Sequence, residues 1–169
     1  VIGTVGTISS GAYLAAVDEA ANAAGNDVEL TCAACPGLVE FVERGQTSGD
    51  EVTVLVERLL APVIAADVDA LLLGCTHYPF LARVIGDVVG PGVTLVSSAD
   101  ETAFAAAAHL AELGVLRDRG DQRGRARFLS SGDVDVFRDL GARLLGPELD
   151  AADRWHPATA RTPMEETTR

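Results

Sequence analysis

Ala70-Leu71-Leu72-Leu73 is a short apolar run closed by Gly74. Its length and bulk fit a strand buried on both faces, as in a parallel sheet. This narrows the fold more than any other feature, because parallel strands need long crossover connections, usually helices. The flanks supply them. Upstream, Val52, Leu55, Val56, Leu59, Leu60 and Val63 follow helical spacing, which predicts a helix over about 51–66 capped by Asp50. Downstream, Pro79 suits a first helical turn, and Gly90-Pro91-Gly92 stops a helix predicted over about 80–89. Gly74 lets the backbone turn sharply. Cys75, Thr76 and His77 therefore fall between a strand's carboxyl end and a helix's amino end, where open α/β sheets place ligands.

The same alternation runs through the chain. Val1 to Thr7 reads as a strand end, its beginning missing, running into a Gly/Thr loop. Ser9 or Ser10 then caps a helix over 11–24, ended by Gly25-Asn26. Val28 to Cys32 reads as a strand, and Cys35-Pro36-Gly37 precedes a brief helix over 38–43. Another strand is expected over 93–96, an Ala-rich helix over 103–113, a short strand over 127–130 and a helix over 134–145 capped by Asp133. Five Arg between Arg117 and Arg127 mix with Asp and Gly and read as a solvated loop. From Pro147 onward no period remains, so 147–169 is expected to be a flexible tail. Strands alternating with helices imply an α/β fold, a parallel sheet with helices on both faces.

Composition removes several classes. A net charge of −12 argues against a general nucleic-acid or membrane-surface binder. No stretch is apolar for long enough to span a bilayer. Three Cys without a basic-then-apolar leader point to a reducing, cytoplasmic setting. The chain contains no Lys, so it cannot anchor pyridoxal phosphate as a Schiff base.

Several residues carry competing readings. Cys75 is either a structural cysteine beside a capping Thr76 or a reactive thiol, since a helix start and a nearby imidazole favour the thiolate. His77 either tunes that thiol and shares its proton or only hydrogen-bonds the loop. The Gly/Thr loop of Thr4 and Thr7 offers donors to a carboxylate or phosphate, or serves as a turn and cap. Cys32, Cys35, Cys75 and His77 invite a zinc reading, but Cys75-Thr76-His77 is too tightly spaced for an ordinary zinc knuckle. A redox Cys-x-x-Cys is disfavoured because Cys32 is expected inside a strand, facing the core.

Four blocks together carry a resemblance. They are Ile2-Gly3-Thr4-Val5-Gly6-Thr7 with Ser10-Gly11-Ala12-Tyr13; Ala34-Cys35-Pro36 with Leu38, Val39 and Glu43; Leu73-Gly74-Cys75-Thr76-His77-Tyr78-Pro79; and Asp100-Glu101-Thr102-Ala103. In order and spacing they resemble the C-terminal part of the glutamate racemases, within the cofactor-independent aspartate/glutamate racemase superfamily. The Gly-Cys-Thr-His-Tyr-Pro block is the specific one. Aspartate racemases commonly carry an acidic residue where His77 stands.

The resemblance implies two similar α/β domains with one Cys from each on opposite faces of the substrate's α-carbon. One thiolate removes the α-proton, and the other thiol returns one without metal, pyridoxal phosphate or nucleotide. Cys75 would be the base acting on L-glutamate and His77 its assistant; Thr76, Thr4 and Thr7 would bind substrate. Residues 1–96 would be a near-complete second domain and 97–146 a segment returning to the first. The block carrying the first Cys is absent from these 169 residues, which implies a partial chain. The partners implied are glutamate, a homodimer mate and, in an alternative non-catalytic reading, DNA gyrase. The implied role is D-glutamate supply for peptidoglycan.

Overall fold

Each short strand here is separated from the next by a helix, so parallel pairing is the arrangement open to them. The computed structural model describes residues 1–117, 124 and 126–156 and bears this out. By its contacts the chain divides into Val1–Gly120 and Asp121–Arg169.

The first unit holds β1 (Ile2–Gly3), α1 (Val5–Ser9), α2 (Ala12–Ala24), β2 (Ala33–Ala34), α3 (Leu38–Glu43) and α4 (Asp50–Ala65). It continues with β3 (Ala70–Leu73), a 3-10 turn (Tyr78–Leu81), α5 (Ala82–Val89), β4 (Thr94–Ser97) and α6 (Ser98–Glu112). The strands form one parallel sheet in the order β2-β1-β3-β4. Successive connections therefore leave β1 and β3 in opposite directions. Right-handed crossovers predict α2 on one face and α4 and α5 on the other. α4 and α5 do pack on each other.

The core follows the two periodicities. Val52, Val56, Leu60 and Val63 of α4 are buried, and Leu55 and Leu59 at the stripe's edge are half-buried. On β3, Leu71 and Leu73 are buried and Leu72 between them is half-buried, the alternation of a strand's two faces. Ile2, paired with Leu73, joins the buried side.

Several sequence expectations are corrected. The strand expected over 28–32 is absent; pairing falls on Ala33–Ala34 instead. The register Ile2↔Ala33 explains this, because Val28 to Thr31 then have no residue of β1 opposite them. Cys32 is accordingly exposed rather than core-facing. The Gly/Thr loop is largely a helical turn, α1, capped by Thr4. α2 starts at Ala12 behind Gly11, whose φ of 69° needs glycine, while Ser10 Oγ accepts from the Ala12 N–H at 3.3 Å. Gly49, not Asp50, is the N-cap of α4. α6 begins at Ser98 because Ser97 Oγ accepts from the Asp100 N–H, and Asp100 and Glu101 sit well in its first turn.

In the second unit, β5 (Leu129–Ser130) pairs in parallel with β6 (Asp153–Arg154), and α7 (Val134–Leu145) packs on a 3-10 turn, Gly146–Leu149. Asp133 Oδ1 caps α7 by accepting from the N–H groups of Asp135 and Val136. The expected tail from Pro147 is thus ordered as far as β6, with Leu149 buried against Gly141. Residues 157–169 and most of the Arg-rich segment lie outside the described residues. No described helix is long and apolar enough to cross a membrane.

Candidate active site at the carboxyl end of the central strands

β1 and β3 lie side by side with their connections leaving in opposite directions. In open α/β sheets that switch point is where a crevice opens at the strands' carboxyl ends. The register sets which residues line up there. Ile2 pairs with both Ala33 and Leu73. Two residues beyond that rung, on three neighbouring strands, stand Thr4, Cys35 and Cys75.

Gly74 makes the approach of the Cys75 loop to β1 possible. Its N–H donates to the Ile2 carbonyl at 2.8 Å. A Cβ there would lie 2.8 Å from that oxygen and 2.8 Å from Cε2 of Tyr13. The glycine is needed for closeness and not, as its sequence context suggested, for an unusual backbone angle; its φ is not positive. After it, the Tyr78 N–H donates to the Cys75 carbonyl at 3.1 Å and the Phe80 N–H to His77, which fold the loop into the 3-10 turn. Pro79 sits in the first turn, as its chemistry favours.

Cys75 is half-buried, and its Sγ lies 3.9 Å from Nδ1 of His77. On the ring's other side, His77 Nε2 is 3.5 Å from Oε1 of Glu43 at the end of α3. A carboxylate there favours the tautomer with hydrogen on Nε2, which turns the Nδ1 lone pair to the thiol. Thiol, imidazole and carboxylate thus form a line in which the imidazole can take a proton from sulfur. Glu43 is the member that a linear reading gave no role. It lies on a different element, and the signal that could have found it is its place in the Ala34-Cys35-Pro36 block that carries the resemblance.

Thr76 is exposed beside Cys75. Thr4 and Thr7 are half-buried and face each other, with their hydroxyl oxygens 2.9 Å apart. Thr4 Oγ1 also accepts the Thr7 N–H at 3.3 Å, so part of its bonding capacity is spent capping α1. Ser98 Oγ donates to the Leu73 carbonyl at 2.7 Å, tying the start of α6 to the end of β3.

Cys35 differs from Cys75. It is buried, and burial pushes its thiol up to about 11. Its carbonyl accepts from the Tyr78 hydroxyl at 3.1 Å, and burial also drives that phenol well above its ordinary range. Among the described residues, no group of three or more His, Cys, Asp or Glu side chains is placed to hold a metal, so Cys32, Cys35, Cys75 and His77 do not form a zinc site. A cleft of about 430 Å³ lies elsewhere, on the amino-terminal side of the sheet, and includes Val1, Thr31, Ala70 and Leu72.

No family model matches the sequence. Individual proteins do. The chain is 52% identical over 151 residues to a glutamate racemase of Parafrankia sp., a match spanning 89% of this chain and 53% of that protein. It is 46% identical over 158 residues to a glutamate racemase of Mycobacterium tuberculosis, spanning 94% and 56%. The crystal structure of the Bacillus anthracis glutamate racemase isoform RacE1 superimposes with a TM-score of 0.83 at 36% identity, covering 92% of this chain and 56% of that one. The chain therefore spans about half the length of the relatives it matches. With the Cys75 loop in place at the switch point, these 169 residues belong to the glutamate racemase family and correspond to its carboxyl-terminal part.

Proposed function

We propose that this chain supplies one face of a glutamate racemase active site, with Cys75 as the base for L-glutamate. The observation that carries the proposal is the Cys75–His77–Glu43 line at the carboxyl ends of β1 and β3. The Cys75 thiolate takes the α-proton, and the electron pair is left on the α-carbon, conjugated with the substrate carboxylate. A thiol on the opposite face then donates a proton to give D-glutamate, and the reverse sequence regenerates the first state. That α-proton is weakly acidic, so the step needs donors fixed in advance in a water-poor cleft. The hydroxyls of Thr4, Thr7 and Thr76 are the donors this half offers, and His77 holds the proton exchanged with Cys75. The second thiol belongs to the other half of a complete racemase; the division into 1–96 and 97–146 is part of the same proposal.

D-Glutamate for peptidoglycan in the cytoplasm is the role that fits this chemistry. A homodimer mate and DNA gyrase are the partners proposed with it. Exposed Phe104 and Leu110 on α6, with Leu113 at its C-cap, are apolar surface on which a protein partner could bury area. The test is Cys75→Ala in the complete protein, read by α-proton exchange from L-glutamate in deuterated water. Loss of exchange by several orders of magnitude is expected; exchange at the parent rate would end the proposal.

A further inference from the structure

Tyr78 is fully buried beside the site, yet the reaction outlined above gives it no task. Its bonds reach two segments. The backbone N–H holds the Cys75 carbonyl, and the side-chain hydroxyl donates to the Cys35 carbonyl across 43 residues of sequence. Cys35 follows β2 and leads through Pro36 and Gly37 directly into α3, whose last residue is Glu43. α3 in turn packs on the 3-10 turn that begins at Tyr78. The two halves of the Cys75–His77–Glu43 line therefore come from separate connections. Tyr78 is the side chain hydrogen-bonded from one to the other.

We infer that Tyr78 is a positioning residue: its hydroxyl bond to Cys35 sets the distance between Glu43 and His77, and thereby the His77 tautomer presented to Cys75. The physical basis is directional. Glu43 at 3.5 Å is a long contact, and charge–dipole preference at that range changes with small displacements. Without the phenol hydroxyl, the buried Cys35 carbonyl loses a partner and the start of α3 relaxes towards water or another donor. His77 then samples both tautomers, and the thiol loses its acceptor for part of the time.

The assignment rests on reading Cys75 as the reacting thiol, but its test does not require racemisation. The chain carries its own reference thiol. Cys32 is exposed and lies outside the line, and Cys35 is buried. Iodoacetamide labelling at fixed pH, resolved by peptide mass, gives the Cys75 rate relative to Cys32. Nitrogen-15 spectra of the His77 ring give the tautomer. The Tyr78→Phe chain is expected to lower the relative Cys75 rate about three- to tenfold, the span set by one ordinary hydrogen bond. Its His77 spectrum should move from the Nε2–H form to a mixture, as in Glu43→Gln. In a Glu43→Gln background, Tyr78→Phe should add almost nothing, because both act through one contact. A Tyr78→Phe chain that is less stable but keeps the parental tautomer and Cys75 rate would show a packing role only and overturn the inference. Full additivity with Glu43→Gln would also overturn it. If Tyr78→Phe does not fold, 3-fluorotyrosine incorporated in a Tyr13→Phe background changes the donor with little change of shape. A changed Cys75 rate then supports the inference, and an unchanged one rejects it.

Discussion

Replacing Gly74 with alanine tests the geometry of the site at its tightest point. The new methyl would stand 2.8 Å from the Ile2 carbonyl oxygen and 2.8 and 2.9 Å from two ring carbons of Tyr13. Comfortable carbon contacts are about 3.5–4.0 Å, so each neighbour would have to move by most of an ångström. Tyr13 lies on α2, is half-buried and can swing aside. The Ile2 carbonyl cannot, because it accepts the Gly74 N–H at 2.8 Å within the β1–β3 ladder. Overpacking of this kind costs about 1–3 kcal/mol, and a weakened ladder bond costs about 0.5–1.5 kcal/mol more. A total near 2–4 kcal/mol is expected. In urea, followed by far-ultraviolet circular dichroism, the midpoint should fall by about 1–2 M at a slope typical of small proteins. Gly6→Ala is the matched control. Nothing lies within 4 Å of its would-be methyl, and it sits in α1, so it should be neutral or up to about 1 kcal/mol stabilising. Equal midpoints for the two variants would refute the reasoning that closeness to Ile2 requires glycine at position 74.

Cys35 gives a pH signature. Burial pushes its folded thiol from the ordinary 9.0 up to about 11, so between those values the folded state holds a proton that the unfolded state has lost. Stability should therefore be unaffected by this group below pH about 9 and decline as pH rises through that window. Cys35→Ala should flatten the decline, measured as the difference between parent and variant urea midpoints from pH 8 to 11. Asp133→Ala removes an oxygen that accepts two N–H groups at the start of α7 and should cost the second unit about 1 kcal/mol, read by amide exchange along α7. Leu73→Ala removes a buried side chain from the strand that carries the Cys75 loop; a loss of about 2–5 kcal/mol is expected from denaturant unfolding.

The parts of this chain that could be read from sequence are those where local chemistry and tertiary demand agree. β3 and α7 fall at their expected ends because an apolar run stopped by Gly74 and an aspartate before an apolar period each meet a matching environment. The position of Cys75 follows from the same agreement, since a strand followed by a proline-started turn leaves a loop of defined length. β2 shows the opposite case. Val28 to Thr31 have good strand propensity, but propensity forms no ladder without a partner, and β1 sets its rung at Ala33. That register is a tertiary fact which no window of local sequence contains. It is also what brings Thr4 and Cys35 level with Cys75.

Glu43 and Tyr78 stand in the blocks that carry the resemblance, but their roles were beyond local reading for a related reason. Each acts across more than thirty residues of sequence, on His77 and on the Cys35 carbonyl respectively. An exposed glutamate at a helix end looks like solvated charge, and a tyrosine in an apolar turn looks like filler. What distinguishes them is the partner, and the partner is fixed only when β2 and β3 are placed on either side of β1. The thiol could therefore be found from the chain alone, whereas the groups that orient it depend on the order of the sheet. This is also why the Tyr78 and Gly74 substitutions are informative together. One changes a bond between the two connections and the other the seating of the Cys75 loop on β1, so a site built from strand order should respond to both, and a self-contained Cys-Thr-His loop should respond to neither.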